Sequence, residues 1–203
     1  MKLRQITKLE ITDHYYLSTD DKCYYLDEYA VGQGYKYSKF NQLIFNLKKD
    51  MSRQGRPDFR FKRKAISDVI QYFRCIFQAA DSSNYCIVPI PPSKSPNDPL
   101  YDDRIYEIAS NIFTPSNAIK LLNTITSRDP AHTNENSDRN PDSIEQNIMI
   151  DVSLISAVEG RTIILLDDIL NTGASYLACK NIISRHFPHN NVIGLFVGRC
   201  VRP

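Results

Sequence analysis

Two adjacent carboxylates, Asp167 and Asp168, follow four apolar residues, Ile163-Ile164-Leu165-Leu166, and precede Ile169-Leu170-Asn171-Thr172-Gly173-Ala174-Ser175. Four apolar residues in a row build a strand buried on both faces. Carboxylates at its carboxyl end stand where open α/β sheets take their ligands, and can accept from vicinal hydroxyls. Gly173 admits positive φ and a close backbone approach. If a helix opens just after it, its first amides have no internal partner and point back at the turn. Those donors, with the hydroxyls of Thr172 and Ser175, would make a pocket for a phosphate. The phosphate pocket and the carboxylates are then separated by about the width of a ribose. An acidic strand end followed by an ordinary helix cap is the plain alternative.

A second set of polar residues leaves another apolar strand. Ile87-Val88-Pro89-Ile90-Pro91-Pro92-Ser93-Lys94-Ser95 ends in a loop in which the prolines donate no amide hydrogen. Donors to an anion there must come from Ser93, Lys94 and Ser95; the alternative is a rigid, proline-braced surface loop. The polar stretch 127–143 contains almost nothing able to enter a core and reads as a lid or a disordered insert, with Arg128, His132 and Arg139 as phosphate contacts. Arg53, Arg56, Arg60, Lys62, Arg63 and Lys64 form a basic cluster, either a contact for nucleic acid or a partner, or a solvated linker and helix face. His186 and His189 lie after a predicted helix end without further ligands in spacing, which favours a helix-dipole partner over a metal site. Gly32-Gln33-Gly34 lacks the third glycine of a dinucleotide loop, and no GxxxxGK[ST] occurs.

The elements that must position these groups follow from periodicity. Tyr15-Tyr16-Leu17 and Tyr24-Tyr25-Leu26 flank Ser18-Thr19-Asp20-Asp21, the pattern of a hairpin. Phe40, Leu43, Ile44 and Leu47 mark one face of a helix capped by Ser38, and Ile66, Val69, Ile70, Phe73, Ile76 and Phe77 the stripe of a second. Beyond them strands at 85–90, 118–125, 162–166 and 192–201 alternate with helices at 101–113 and 174–186. That alternation predicts an α/β fold with a doubly wound, mainly parallel sheet. At 203 residues, 42% apolar and 24% charged, the chain suits one buried domain, and a net charge of +2 demands no polyanion. The division is a β-rich N-terminal hood at 1–36 and an α/β domain at 37–203, one compact unit. Five cysteines without a CxxC pair, no signal-peptide pattern and no apolar run of membrane length point to a cytoplasmic protein without a membrane partner.

The thirteen residues 163–175 resemble the phosphoribosyl pyrophosphate signature of type I phosphoribosyltransferases, with Asn171 standing where many members carry Thr or Asp. The Val-Pro-x-Pro loop start at 88–91 is similar to the competence-protein (ComF-like) branch, whose cysteine-rich zinc module this chain lacks. The resemblance implies a type I phosphoribosyltransferase fold and transfer of a phosphoribosyl group to a nitrogenous base or amine, with release of pyrophosphate. It implies Asp167 and Asp168 as the catalytic pair, reaching Mg2+ directly or through water. Asn171, Thr172, Gly173, Ala174 and Ser175 would take the phosphate, and Ser93, Lys94, Ser95 and Arg128 the pyrophosphate. Asn171 does not ionise, which argues against the purine-salvage subclass, whose aspartate acts as a base there. A homodimer, and a nucleic-acid or protein partner at Arg53–Lys64, are the associations to look for. A non-catalytic nucleotide sensor or effector subunit is the rival reading.

Overall fold

The computed structural model describes residues 2–128 and 140–202. Its elements, in chain order, are β1 (Arg4–Gln5), β2 (Cys23–Ala30), α1 (Lys39–Leu47), α2 (Arg60–Phe77), β3 (Tyr85–Pro89), α3 (Arg104–Ser110) and β4 (Leu122–Thr124). They continue with α4 (Pro141–Glu145), β5 (Ile148–Ile150), α5 (Ile155–Val158), β6 (Thr162–Leu170), α6 (Ala174–His186) and β7 (Val192–Val201). Among the described residues, five strands form one mixed sheet in the order β1-β2-β7-β6-β3. Every neighbouring pair is parallel except β1 with β2. Helices flank both faces, so the protein is α/β.

Alternation along β6 shows why the strand lies inside the sheet. Ile164 and Leu166 join α1, α2 and α3 on one face, with Ile44, Val69, Phe73 and Ile108. Ile163 and Leu165 join α6 on the other, with Val158, Cys179 and Ile183. A strand apolar on both faces loses least when both are covered. Helix α1 starts where its cap predicts: Ser38 Oγ accepts from Asn41 N at 2.9 Å. The stripe of α2 buries Ala65, Ile66, Val69 and Phe73 as its period requires.

Three expectations are corrected. The hairpin at 15–26 does not form. Tyr25 and Leu26, both buried, lie in β2, which pairs in parallel with β7, whereas Tyr15 is 82% exposed in a turn. A segment with large side chains to bury on both faces belongs inside a sheet, so 23–30 joins the main sheet. The strand expected at 118–125 contributes only an Ala118 bridge to Ile87; Leu122–Thr124 pairs instead with β5 in a separate antiparallel ribbon. Lys120 and Asn123 suit a ribbon with one wet face better than a sheet covered on both. The helix expected at 101–113 runs only from Arg104 to Ser110, because Tyr101 closes a turn on Asp98 (N to O, 2.9 Å).

Candidate functional site

The strand–turn–helix unit at 162–186 is built as its residues require. Strand β6 runs on to Leu170, residues Asn171–Gly173 turn, and α6 opens at Ala174. Gly173 takes φ +88°, the left-handed region in which a side chain is strained. The helix has no side-chain cap, and its first closing bond runs from Leu177 N to Gly173 O at 2.9 Å. Thr172 and Ser175 are half-buried, and Thr172 Oγ1 accepts from Ala174 N, the first helical amide, at 3.4 Å. A helix N-terminus of this kind can take an anion.

The two carboxylates behave differently. Asp168 is 4% exposed and both of its oxygens are engaged, one by Arg104 and the other by Lys48 Nζ at 3.3 Å. Arg104 also holds Asp102, which binds Lys62 Nζ at 2.7 Å. Lys62 is 2% exposed and donates to the carbonyls of Leu47 and Lys49, at 2.8 and 2.9 Å. Asp168 is thus one end of a buried lattice of alternating charge that joins β6, α1, α2 and the start of α3. Burial alone would raise its pKa, but the charges and hydrogen bonds of Lys48 and Arg104 hold it well below the carboxylate range. Asp167 is less buried, and one of its oxygens accepts from Asp168 N at 2.7 Å. Burial first, and then the charge of Asp168, push its pKa up. Alternation along β6 puts Asp167 on the α6 side of the sheet with Ile163 and Leu165, and the charges of Lys48 and Arg104 on the other side only partly offset the rise.

The loop after β3 is zipped to the segment that follows β4. Thr124 Oγ1 donates to Pro92 O at 2.6 Å, Ser95 N to Ser127 Oγ at 3.0 Å, and Arg128 N to Ser93 O at 2.8 Å. Ser93, Lys94, Ser95 and Arg128 therefore share one braced unit at the carboxyl end of β3, next to β6, onto which Ile90 N continues the pairing (Leu166 O, 2.8 Å). Lys94 faces Asp98 at 3.8 Å. Arg128 is half-buried near Cys179, and its Nε lies buried without a partner. A buried guanidinium nitrogen with an open donor is what an anionic ligand would satisfy. His132 and Arg139 fall outside the described residues.

Arg53 pairs with Asp58 at 2.8 Å and Lys64 with Asp68 at 2.8 Å, while Lys62 points inward, so half of the basic cluster is occupied within the chain. His186 Nδ1 bonds Ile182 O at 2.9 Å inside α6. Among the described residues no group of three potential metal ligands occurs. Each oxygen of Asp168 already meets a cationic side chain, which leaves Asp167 the more open carboxylate of the pair. The donors present fit magnesium only as the companion of a phosphorylated ligand that brings most of its oxygens, with Asp167 as the protein carboxylate beside it.

Sequence reasoning did not find His14, Tyr16 and Leu17, which lie against the turn, nor the roles of Lys48, Asp102 and Arg104. Lys62 alone left a mark: it stands on the buried stripe, four residues before Ile66 and seven before Val69. Scans of the sequence against models of protein families and against curated proteins each gave no match.

Proposed function

We propose that this chain binds phosphoribosyl pyrophosphate at Asn171–Ser175 and transfers its phosphoribosyl group to a nitrogenous base or amine, on a type I phosphoribosyltransferase fold. One observation carries the reading: an interior parallel strand ends in Asp167-Asp168 and turns through a left-handed Gly173 into an uncapped helix. Amides of the first turn of α6, with Thr172 and Ser175, take the 5-phosphate. Asp167 accepts from the ribose hydroxyls. Ser93, Lys94, Ser95 and Arg128 meet the pyrophosphate. The bond from C1 to the pyrophosphate oxygen breaks with its electron pair leaving on the pyrophosphate, a bond from C1 to the acceptor nitrogen forms, and the proton of that nitrogen passes to solvent. The ribose ring is cationic between the two events, and the charge of Asp167 favours it once ionised. Asp168 acts at one remove by fixing Arg104. A magnesium ion bound with the ligand supplies positive charge against the leaving pyrophosphate.

One observation favours a second reading. Both oxygens of Asp168 are held by cations, which suits a site that binds nucleotide without turning it over. In that case the exposed members of the Arg53–Lys64 cluster would meet a nucleic-acid or protein partner. Pyrophosphate release from phosphoribosyl pyrophosphate, measured with and without a panel of bases and amines, tests both. Release that needs an acceptor is the expected result. Release without one marks a hydrolase, and binding without release marks the sensor.

A further inference from the structure

We infer that residues 10–21 form a strap that sets the phosphate turn, and that His14 is its positioning residue, making the turn selective for anions. The inference rests on the phosphoribosyl reading of Asn171–Ser175 and concerns how that site is held.

The strap is pinned at both ends by cations of the main fold. At one end Arg199 of β7 holds Glu10 and Asp13, each at 3.2 Å, and Tyr25 of β2 donates its hydroxyl to Glu10 at 2.7 Å. At the other, Lys180 of α6 holds Asp21 at 2.6 Å, and Asp21 in turn accepts from Ser18 N at 2.7 Å. Between the pins the strap meets the turn residue by residue. His14 Nδ1 donates to Asn171 O, Tyr16 N donates to Thr172 O at 2.9 Å, and Leu17 packs on Gly173. A Cβ at Gly173 would lie 2.9 Å from Leu17 Cδ2.

These contacts consume the carbonyl oxygens of Asn171 and Thr172, the negative ends of the turn's peptides. What remains to face a ligand is the amide side, on which Ala174 N meets only Thr172 Oγ1 at a long 3.4 Å, with the positive end of α6 behind it. A turn without the strap would offer carbonyls and amides alike. His14 fits this role and little else: it is 0% exposed, and its Nε2 lies buried with no partner. Burial lowers its pKa, partly offset by the bond to Asn171, so the neutral ring with its proton on Nδ1 is the form present. A buried ring with one nitrogen unspent is costly, and the one bond it makes is to the turn.

Two amide substitutions isolate that bond. In His14→Asn the side-chain N–H lies where Nδ1 was, whereas in His14→Gln it lies one bond further out, near Nε2. Hydrogen exchange at the amides of 172–175 and calorimetric affinity for ribose 5-phosphate are read on the parent, both amide variants and His14→Ala. Expected are faster exchange and affinity about tenfold weaker in His14→Ala and His14→Gln, as loss of one hydrogen bond implies, with most of both restored in His14→Asn. A general loss of stability would not separate the two amides. Unchanged exchange at the turn in folded His14→Gln, or Asn and Gln variants that behave alike, overturns the strap, and needs no ligand to do so. A parent that shows the His14-dependent exchange and yet binds no ribose 5-phosphate overturns the phosphoribosyl reading, and with it the anion role of His14.

Discussion

Successive side chains of a strand leave by opposite faces, so Asp168 reaches Lys48 and Arg104 while Asp167 turns toward α6. The consequence is opposite pH behaviour from neighbouring residues. The folded-state pKa of Asp168 is depressed. Its stabilisation is present above the ordinary carboxylate range and is lost as pH falls through the depressed value. The pKa of Asp167 is raised. Its contribution is present below the ordinary carboxylate pKa and is lost as pH rises through the raised one. Asp167→Asn should therefore raise the Tm at pH 8 by about 2–4 °C, a gain on the order of 1 kcal/mol, and leave it unchanged at pH 4. Asp168→Asn should lower the Tm at pH 8 and flatten the acid limb. Thermal melts across pH check both, and a gain from Asp167→Asn that persists at pH 4 would contradict the assignment. Gly173 carries a second residue-level prediction. From sequence, a side chain there is expected to intrude on the phosphate; in the structure its Cβ meets Leu17. Gly173→Ala should thus cost about 1–3 kcal/mol of stability, from left-handed strain and the clash. Leu17→Ala should recover part of it in a double-mutant cycle by urea unfolding, and strict additivity would show that the two do not meet.

At the scale of elements, the lattice from Asp168 to Lys62 decides how α1, α2 and α3 sit on the sheet. Lys62 serves the last carbonyls around the end of α1 and Asp102 at once. Burial lowers its pKa, with Asp102 opposing, and its removal leaves the carbonyls of Leu47 and Lys49 without this buried donor and Asp102 with Arg104 as its remaining cation. Lys62→Met should therefore destabilise the protein by about 3–5 kcal/mol, measured by urea unfolding, although methionine suits the stripe. A loss below 1 kcal/mol would mean that the lattice holds nothing together. Helices α1, α2 and α6 were legible in the sequence because each has an apolar period or a starting residue close by in the chain: Ser38 for α1, the stripe from Ile66 to Phe77 for α2, Gly173 for α6. What escaped was set by partners far along the chain. Arg104 finds Asp168 across 64 positions and His14 finds Asn171 across 157, separations that leave no local pattern.

For the whole molecule, the parallel core of β7, β6 and β3 was legible from its apolar runs, and so was the turn that ends β6. The role of 23–30 was not. Tyr24-Tyr25-Leu26 reads as one arm of a hairpin with Tyr15-Tyr16-Leu17, and only the distant partner β7 makes it an interior strand. The strand segment expected to hood the site is thereby part of the sheet, and the strap before it reaches back over the turn. No helix among the described residues is long and apolar enough to cross a membrane. Binding of phosphoribosyl pyrophosphate is the act on which every proposed role depends, and calorimetric titration of the full chain with that ligand and magnesium measures it. A saturable heat of one site per chain is predicted, weakened on the order of 100-fold when Thr172→Val and Ser175→Ala remove both hydroxyls, at about 1.4 kcal/mol for each tenfold. A folded parent that gives no heat of binding, or a double variant that binds as the parent does, would contradict it.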